Sequence, residues 1–490
     1  MGRRSRALVA ATLAVGTCLL GGATALAEAD FPKGISIHVP SDRPNEIVVG
    51  TNYGLVLSED GGATWTWSCE QDLNSYTQLY AMAPAPTDRL FASASRGLAF
   101  SDDVGCSWRT PGGDLTGRFV GNIRFDLAGR VYLTTFSAGD GGMPVSILRS
   151  DNGGSSFDST VYTGTTTVTS FVIAPSDPTT MYFSTRGPAP FQSEIFKSTD
   201  GGASFAPIDL TNAPASGAAY ILAVDPRSRD WIAVRWLTPS TTDAGFATLD
   251  EALLIADTAS GKWTQRVAVL DGALRAFLIA ADGAWLVAAQ QGRDVPMLFR
   301  SQDGGASFAP VANPPFIVDL AERGGIVYAA TGFDDSGATF GLIEATSDDG
   351  GVTWQPGASF SRVQAISRCV TIACADTCLS LSTNVGLWDV QICSAAPPTG
   401  SGGSGGSGSG GDGRAGAGGH DAGAAGRAIA SGFAGHVGNT GLQRRGCTCS
   451  VTGAGRGTVA VVAVVALAAL AWRRRQRRSR QDAVERRRDD

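Results

Sequence analysis

The chain has 490 residues, a formal net charge of −6, 64 glycines and only 17% charged residues. A basic terminus (+5 on 473–490), a basic leader (+3) and a basic stretch at 399–472 (+3) leave −17 on residues 28–398. That acidic body excludes nucleic acid as a partner, because phosphates need Lys and Arg. Its composition favours turns and strands over long helices.

Residues 1–27 read as a secretory signal. Arg3, Arg4 and Arg6 precede an apolar run over 7–20, and Ala25-Leu26-Ala27 fits a small-x-small cleavage site. Cys18 falls in this leader, and the mature chain is expected to begin near Glu28.

Residues 28–398 then repeat one motif, Ser-x-Asp-x-Gly-x-(Ser/Thr)-(Trp/Phe). The copies contain Ser58, Asp60, Gly62 and Trp65, then Ser101, Asp103, Gly105 and Trp108. Ser150, Asn152, Gly154 and Phe157 come next, then Ser198, Asp200, Gly202 and Phe205. A worn copy ends at Trp263, with Ala256 for the Ser and Thr258 for the Asp. The series finishes with Ser301, Asp303, Gly305 and Phe308, and with Ser347, Asp349, Gly351 and Trp354. A period of roughly 43–58 residues signals a propeller or array. Each motif suits a tight corner: Gly accepts positive φ, the Asp or Asn oxygen accepts backbone N–H bonds, and the ring is buried against the sheet.

Strand-like runs precede the corners: 46–51 and 54–57, 89–93 and 97–100, then 130–135, 180–185, 231–236, 285–289 and 326–331. Turn phrases such as Ala83-Pro84-Ala85-Pro86 and Ala174-Pro175-Ser176-Asp177-Pro178 separate them. Residues 378–382 and 386–392 keep the rhythm without a corner and predict an eighth module. The expected fold is all-β, a propeller of seven or eight four-stranded blades.

Six cysteines fall in this body: Cys69, Cys106, Cys369, Cys374, Cys378 and Cys393. An even number in an exported domain predicts disulfides. A bridge between Cys69 and Cys106 would join adjacent blades, and the other four would reinforce the terminal module. Their spacing matches no common zinc pattern, and the corners lack the loop-closing Glu of a calcium loop. No metal and no cofactor is expected.

Residues 399–445 are Gly- and Ser-rich and predict a flexible, disordered linker. In 446–490, Cys447 and Cys449 precede an apolar run over about 458–472 and an Arg-rich end. That run is short for a membrane span, and the arginines after it would lie in the cytoplasm.

The repeated motif resembles the Asp-box (BNR) repeat of sialidases, sortilin-type receptors and related propellers, in which the boxes are structural hairpins and not the catalytic site. The end of the chain resembles the myxobacterial C-terminal sorting signal (MYXO-CTERM). That resemblance implies export and sorting machinery as partners, processing near Cys447 with Cys449 second, display at the bacterial cell surface or outer envelope, and at least transient membrane anchorage through the C-terminal segment.

Sialidases of the family carry an Arg-Ile-Pro motif, an arginine cluster and a Tyr/Glu pair. Arg-Ile-Pro is absent here, and Gly121-Asn122-Ile123-Arg124-Phe125 does not replace it. The favoured reading is therefore a non-catalytic module binding a glycan or protein. The alternatives are a sialidase-like glycoside hydrolase, needing two carboxylates about 5–5.5 Å apart if retaining, and an assembly or scaffold factor. The connections at 137–144, 186–193, 237–251, 290–296 and 332–340 are long, as functional loops are. They and their flanks point to a binding face of Arg186, Trp236, Asp243, Arg293, Asp294, Asp334 and Asp335.

Overall fold

A computed structural model of the chain describes residues 32–394, apart from 70–76, 95–96, 114, 116–117, 138–144, 188–191, 215, 242–246, 293–294 and 333–341. The signal segment, linker, Cys447, Cys449 and the apolar run at 458–472 lie outside the described residues. No described helix is long and apolar enough to cross a membrane.

The strands form seven sheets, each built on consecutive antiparallel strands, the first with one further strand from late in the chain. The first sheet is Gly34–His38, Ile47–Thr51, Gly54–Ser58 and Trp65–Ser68. The second has three strands, Thr77–Met82, Leu90–Ala94 and Gly97–Ser101, extended by a single bridge from Phe100 to Arg109. The five remaining sheets each have four strands, with Arg118–Phe125, Thr167–Ile173, Ala218–Val224, Gly272–Ile279 and Ile317–Arg323 leading them. Each leading strand packs on the neighbouring blade, blades 2 and 3 meeting through Leu90–Ala94 and Gly97–Ser101 and blades 5 and 6 through Ala247–Asp257, and Gly34–His38 packs on Ile317–Arg323, so the sheets close into a ring. The fold is a seven-bladed β-propeller.

The expected eighth blade is not there. Residues 375–385 are helical, with an α-helix at Ala375–Ser380, and Val390–Cys393 is a 3-10 turn. A short apolar run fits a buried helix as well as a strand. The strand Val363–Ile366 instead joins the outer edge of blade 1, parallel to Trp65–Ser68. The cysteine pairing differs from the expected neighbour bridge as well. Cys69 pairs with Cys374, Cys106 with Cys369, and Cys378 with Cys393. Both blade cysteines are held by the terminal segment.

The repeated corners join the third strand of a blade to its outer edge. In the first, Gly62 N–H donates to Ser58 Oγ at 2.8 Å, while Thr64 N–H and Thr64 Oγ1 donate to the Asp60 carboxylate at 2.9 and 2.6 Å. The same bonds recur around Asp103, Asp200, Asp303 and Asp349. In the worn corner Asp257 substitutes, accepting Ala259 N–H at 3.0 Å and Ser260 Oγ at 2.7 Å. Gly305 shows why glycine is required there: its φ is +82°, and a Cβ would lie 2.7 Å from the Trp285 ring.

Antiparallel order fixes the two faces of the disc. Corners between third and fourth strands share one face with the turns between first and second strands. The hairpins between second and third strands, and the connections between blades, open on the other. Every leading strand also carries a one-residue register shift, in most of them in the half nearer this second face, as between Leu274 and Ala276. Such a bulge re-aims the extra side chain and twists the strand.

Candidate functional site

The face opposite the repeated corners gathers an arc of cations over blades 4 to 6. Arg186 ends the second strand of blade 4 and donates from Nη1 to Tyr220 Oη at 3.3 Å. Tyr220 is buried in the leading strand of blade 5 and pairs across it with Arg235. The Arg235 guanidinium carbon lies 5.2 Å from the centre of that ring. Arg235 also forks onto Glu251, with Nε donating at 2.7 Å and Nη2 donating to the other oxygen. Glu251 Oε2 accepts Leu274 N–H at 2.5 Å from blade 6, so one carboxylate joins two blades.

Arg275 occupies the bulge of the blade 6 leading strand, donating to Gln290 Oε1 from Nε at 3.0 Å and from Nη2 at 2.5 Å. Its side chain is exposed. Desolvation lowers its pKa below the usual arginine value, and the Arg235 charge lowers it further, with Glu251 opposing. Arg235 and Arg275 thus both feel one carboxylate, Glu251. Glu251 is nearly inaccessible at 1%, and Arg235 is 11% exposed, so neither is screened as surface groups are.

Two further features flank the arc. On blade 3, Phe119 and Phe136 stack with centroids 5.4 Å apart and planes 15° from parallel. Phe136 is 37% exposed, which leaves part of the stack open to a ligand. Between blades 4 and 5 lies a groove of about 620 Å³ whose lining includes Thr185, Gln192, Glu194, Thr211 and Trp236.

The expected binding residues divide sharply. Arg186 belongs to the arc. Trp236 is not a loop residue: the second strand of blade 5 runs from Trp231 to Thr241, and the third from Ala247 to Asp257. The Trp236 indole is 3% exposed, donates to Ser216 O at 3.1 Å and packs edge-on to Trp263. It supports the groove wall and offers no open ring face. Asp243, Arg293, Asp294, Asp334 and Asp335 lie outside the described residues. The sequence reading passed over Arg235, Glu251 and Arg275. Their available signal was a charge inside an otherwise apolar strand, as in Trp231-Ile232-Ala233-Val234-Arg235-Trp236.

Blade 7 holds the most perturbed carboxyl on this face. Glu344 is 1% exposed, Oε2 accepts Ala358 N–H at 2.8 Å, and Oε1 is buried without a hydrogen bond. Burial pushes its pKa up to about 7, against that hydrogen bond and the Arg362 charge. Among the described residues, no second carboxylate contributes to the shift, and no group of three His, Cys, Asp or Glu could hold a metal ion.

No protein-family model and no curated protein matches the chain. Several solved structures are similar to part of the chain. Its structural neighbours include propeller enzymes. An ancestral GH74 enzyme is similar over 68% of this chain and 47% of its own, at 17% identity and a TM-score of 0.49. The GH74 xyloglucanase of Xanthomonas campestris is similar over 68% and 60%, at 16% identity and a TM-score of 0.32. An oligogalacturonate lyase in complex with manganese is similar over 58% and 80%, at 11% identity and a TM-score of 0.44. The propeller spans about half the length of the first of these. At such identities and scores these likenesses say nothing of function, which rests on the site.

Proposed function

We propose that the protein is an exported, surface-displayed binding module that holds a glycan or protein ligand bearing anionic groups, without turning it over. The repeats are read as Asp-boxes and the tail as a sorting signal. The observation that carries the ligand reading is the gathering of Arg186, Arg235 and Arg275 from three blades on one face, with Arg235 forked onto Glu251. On a body of net charge −17 this arc is a local reversal of sign. Clustered guanidiniums favour an incoming carboxylate or sulfate, which can be held by forked hydrogen bonds. The Phe119–Phe136 stack and the adjoining groove add apolar and polar surface for the rest of a ligand.

Glu344 favours a second reading, a hydrolase, because a carboxyl with a pKa near 7 is suited to general acid catalysis. Its geometry argues against this. Glycoside hydrolysis commonly needs a second carboxylate, at about 5–5.5 Å or about 6.5–9.5 Å. Glu344 instead accepts a backbone bond within its own blade.

Arrays of neutral, carboxylated and sulfated glycans, together with acidic peptides, test the proposal on purified protein. Saturable binding to anionic members, weakened by salt and without turnover of an aryl-glycoside panel, is the expected result. Turnover of any glycoside in that panel, abolished by Glu344→Gln, would replace the binding reading with the hydrolase.

A further inference from the structure

The route of the chain after blade 7 has a mechanical consequence. The outermost strand of blade 7 is only Gln355–Pro356, and the chain then crosses to the far edge of blade 1. There Val363–Ile366 pairs in parallel with Trp65–Ser68, and Ser367 N–H donates to Trp67 O at 2.7 Å. Trp388 packs on Trp67 and Phe360, with centroids 5.0 and 6.0 Å away. Cys374 and Cys378 are completely buried in the same cluster.

The disulfides decide which parts of this segment can bear load. Residues 395–490 continue from Ser394, directly beyond Cys393. Tension arriving there passes through the Cys378–Cys393 bond to Cys378, along the backbone to Cys374, and through the Cys69–Cys374 bond into blade 1. Residues 69–374 form a covalently closed circle, so blades 2 to 7 lie off the line between the chain ends. Without the bonds, tension would reach the two-residue outer strand of blade 7 once Val363–Ile366 had detached. The blades would then peel one strand at a time, which needs far less force than breaking a whole sheet together.

We propose that residues 363–394 form a mechanical latch, which takes tension arriving from the C-terminal chain directly into blade 1 and keeps the ring closed while a bound ligand is pulled. A pull between blade 5 and the C-terminus divides between the two arms of the covalent circle, so neither arm carries all of it. The latch does not depend on which ligand is held, or on whether the ligand is turned over.

The test is single-molecule stretching of the full chain, held at its two ends. In the oxidised protein, the described fold can release about 40 residues, from 32–69 and 374–378, or roughly 140 Å at ~3.4 Å per residue. After dithiothreitol it should release about 360 residues, roughly 1,200 Å. The double variant Cys69→Ser, Cys374→Ser moves the load to the Cys106–Cys369 bond. It should release about 80 residues, roughly 280 Å. Release of the long length by the oxidised protein would overturn the proposal. So would a double variant that extends no further than the wild type, or a reduced chain that resists as the oxidised one does. If the double variant does not fold, the same molecule stretched before and after reduction still decides.

Discussion

Glu344→Gln tests the energetics of the second face most directly. The carboxyl lies almost wholly inside blade 7, with one oxygen bonded to Ala358 N–H and the other without a partner. Burial pushes its pKa up to about 7, from ~4.3 in an unfolded chain. At ~1.4 kcal/mol per pH unit this displacement corresponds to ~4 kcal/mol over the full titration, of which ~3 kcal/mol falls between pH 4.5 and 8. The folded state holds the proton more tightly than the unfolded state. Its contribution is therefore complete below pH ~4.3 and lost as pH rises through about 7. Gln is close in shape and never ionises, so this pH dependence vanishes in the variant. Urea unfolding of both proteins at pH 4.5, 6 and 8 measures the effect, since titrations common to both cancel in the difference. The stability of the variant relative to the wild type should rise by ~3 kcal/mol between pH 4.5 and 8. A difference that stays constant over that range would refute the buried-acid argument.

Four other outcomes follow from named contacts. Glu251→Ala strips the buried Arg235 of its carboxylate and Leu274 N–H of its acceptor; it should cost ~3–5 kcal/mol in urea unfolding. Gly305→Ala forces a side chain into positive φ and onto the Trp285 ring, and should lower stability by ~2 kcal/mol or more, read from the same transition. Asp200 and Asp349 are pushed down to about 2, first by the Ser204 and Thr353 hydroxyls and then by their backbone N–H groups. Their corners are stabilised above pH ~4 and lose this support as pH falls towards 2, so slow amide exchange at Ser204 and Thr353 should persist at pH 3. Arg275→Ala should weaken binding of an anionic array hit by ~10–100-fold and flatten its salt dependence, measured by calorimetry at two ionic strengths.

Much of the architecture was legible because the repeated corner is local chemistry. Ser58, Asp60, Gly62 and Thr64 satisfy one another within a few residues, so spacing along the chain marks each blade. Even the worn corner before Trp263 keeps an acceptor, Asp257, one residue away from the place expected. The candidate site was far less legible. Arg186, Tyr220, Arg235, Glu251 and Arg275 come from three blades, and their relation is set by strand register and bulges. Trp236 stood out as a large ring near a presumed loop, but two eleven-residue strands carry that hairpin beyond it and leave the indole buried.

The sequence by itself determined the strand-and-corner unit and its number of marked copies, because tight turns depend on residues that are neighbours in the chain. Tertiary structure alone decided that the terminal segment is a clasp and not an eighth blade, which cysteines pair across separations of 305 and 263 residues, and which arginines meet. Those outcomes depend on closing a ring, and ring closure brings together groups whose distance along the chain carries no record of their distance in space.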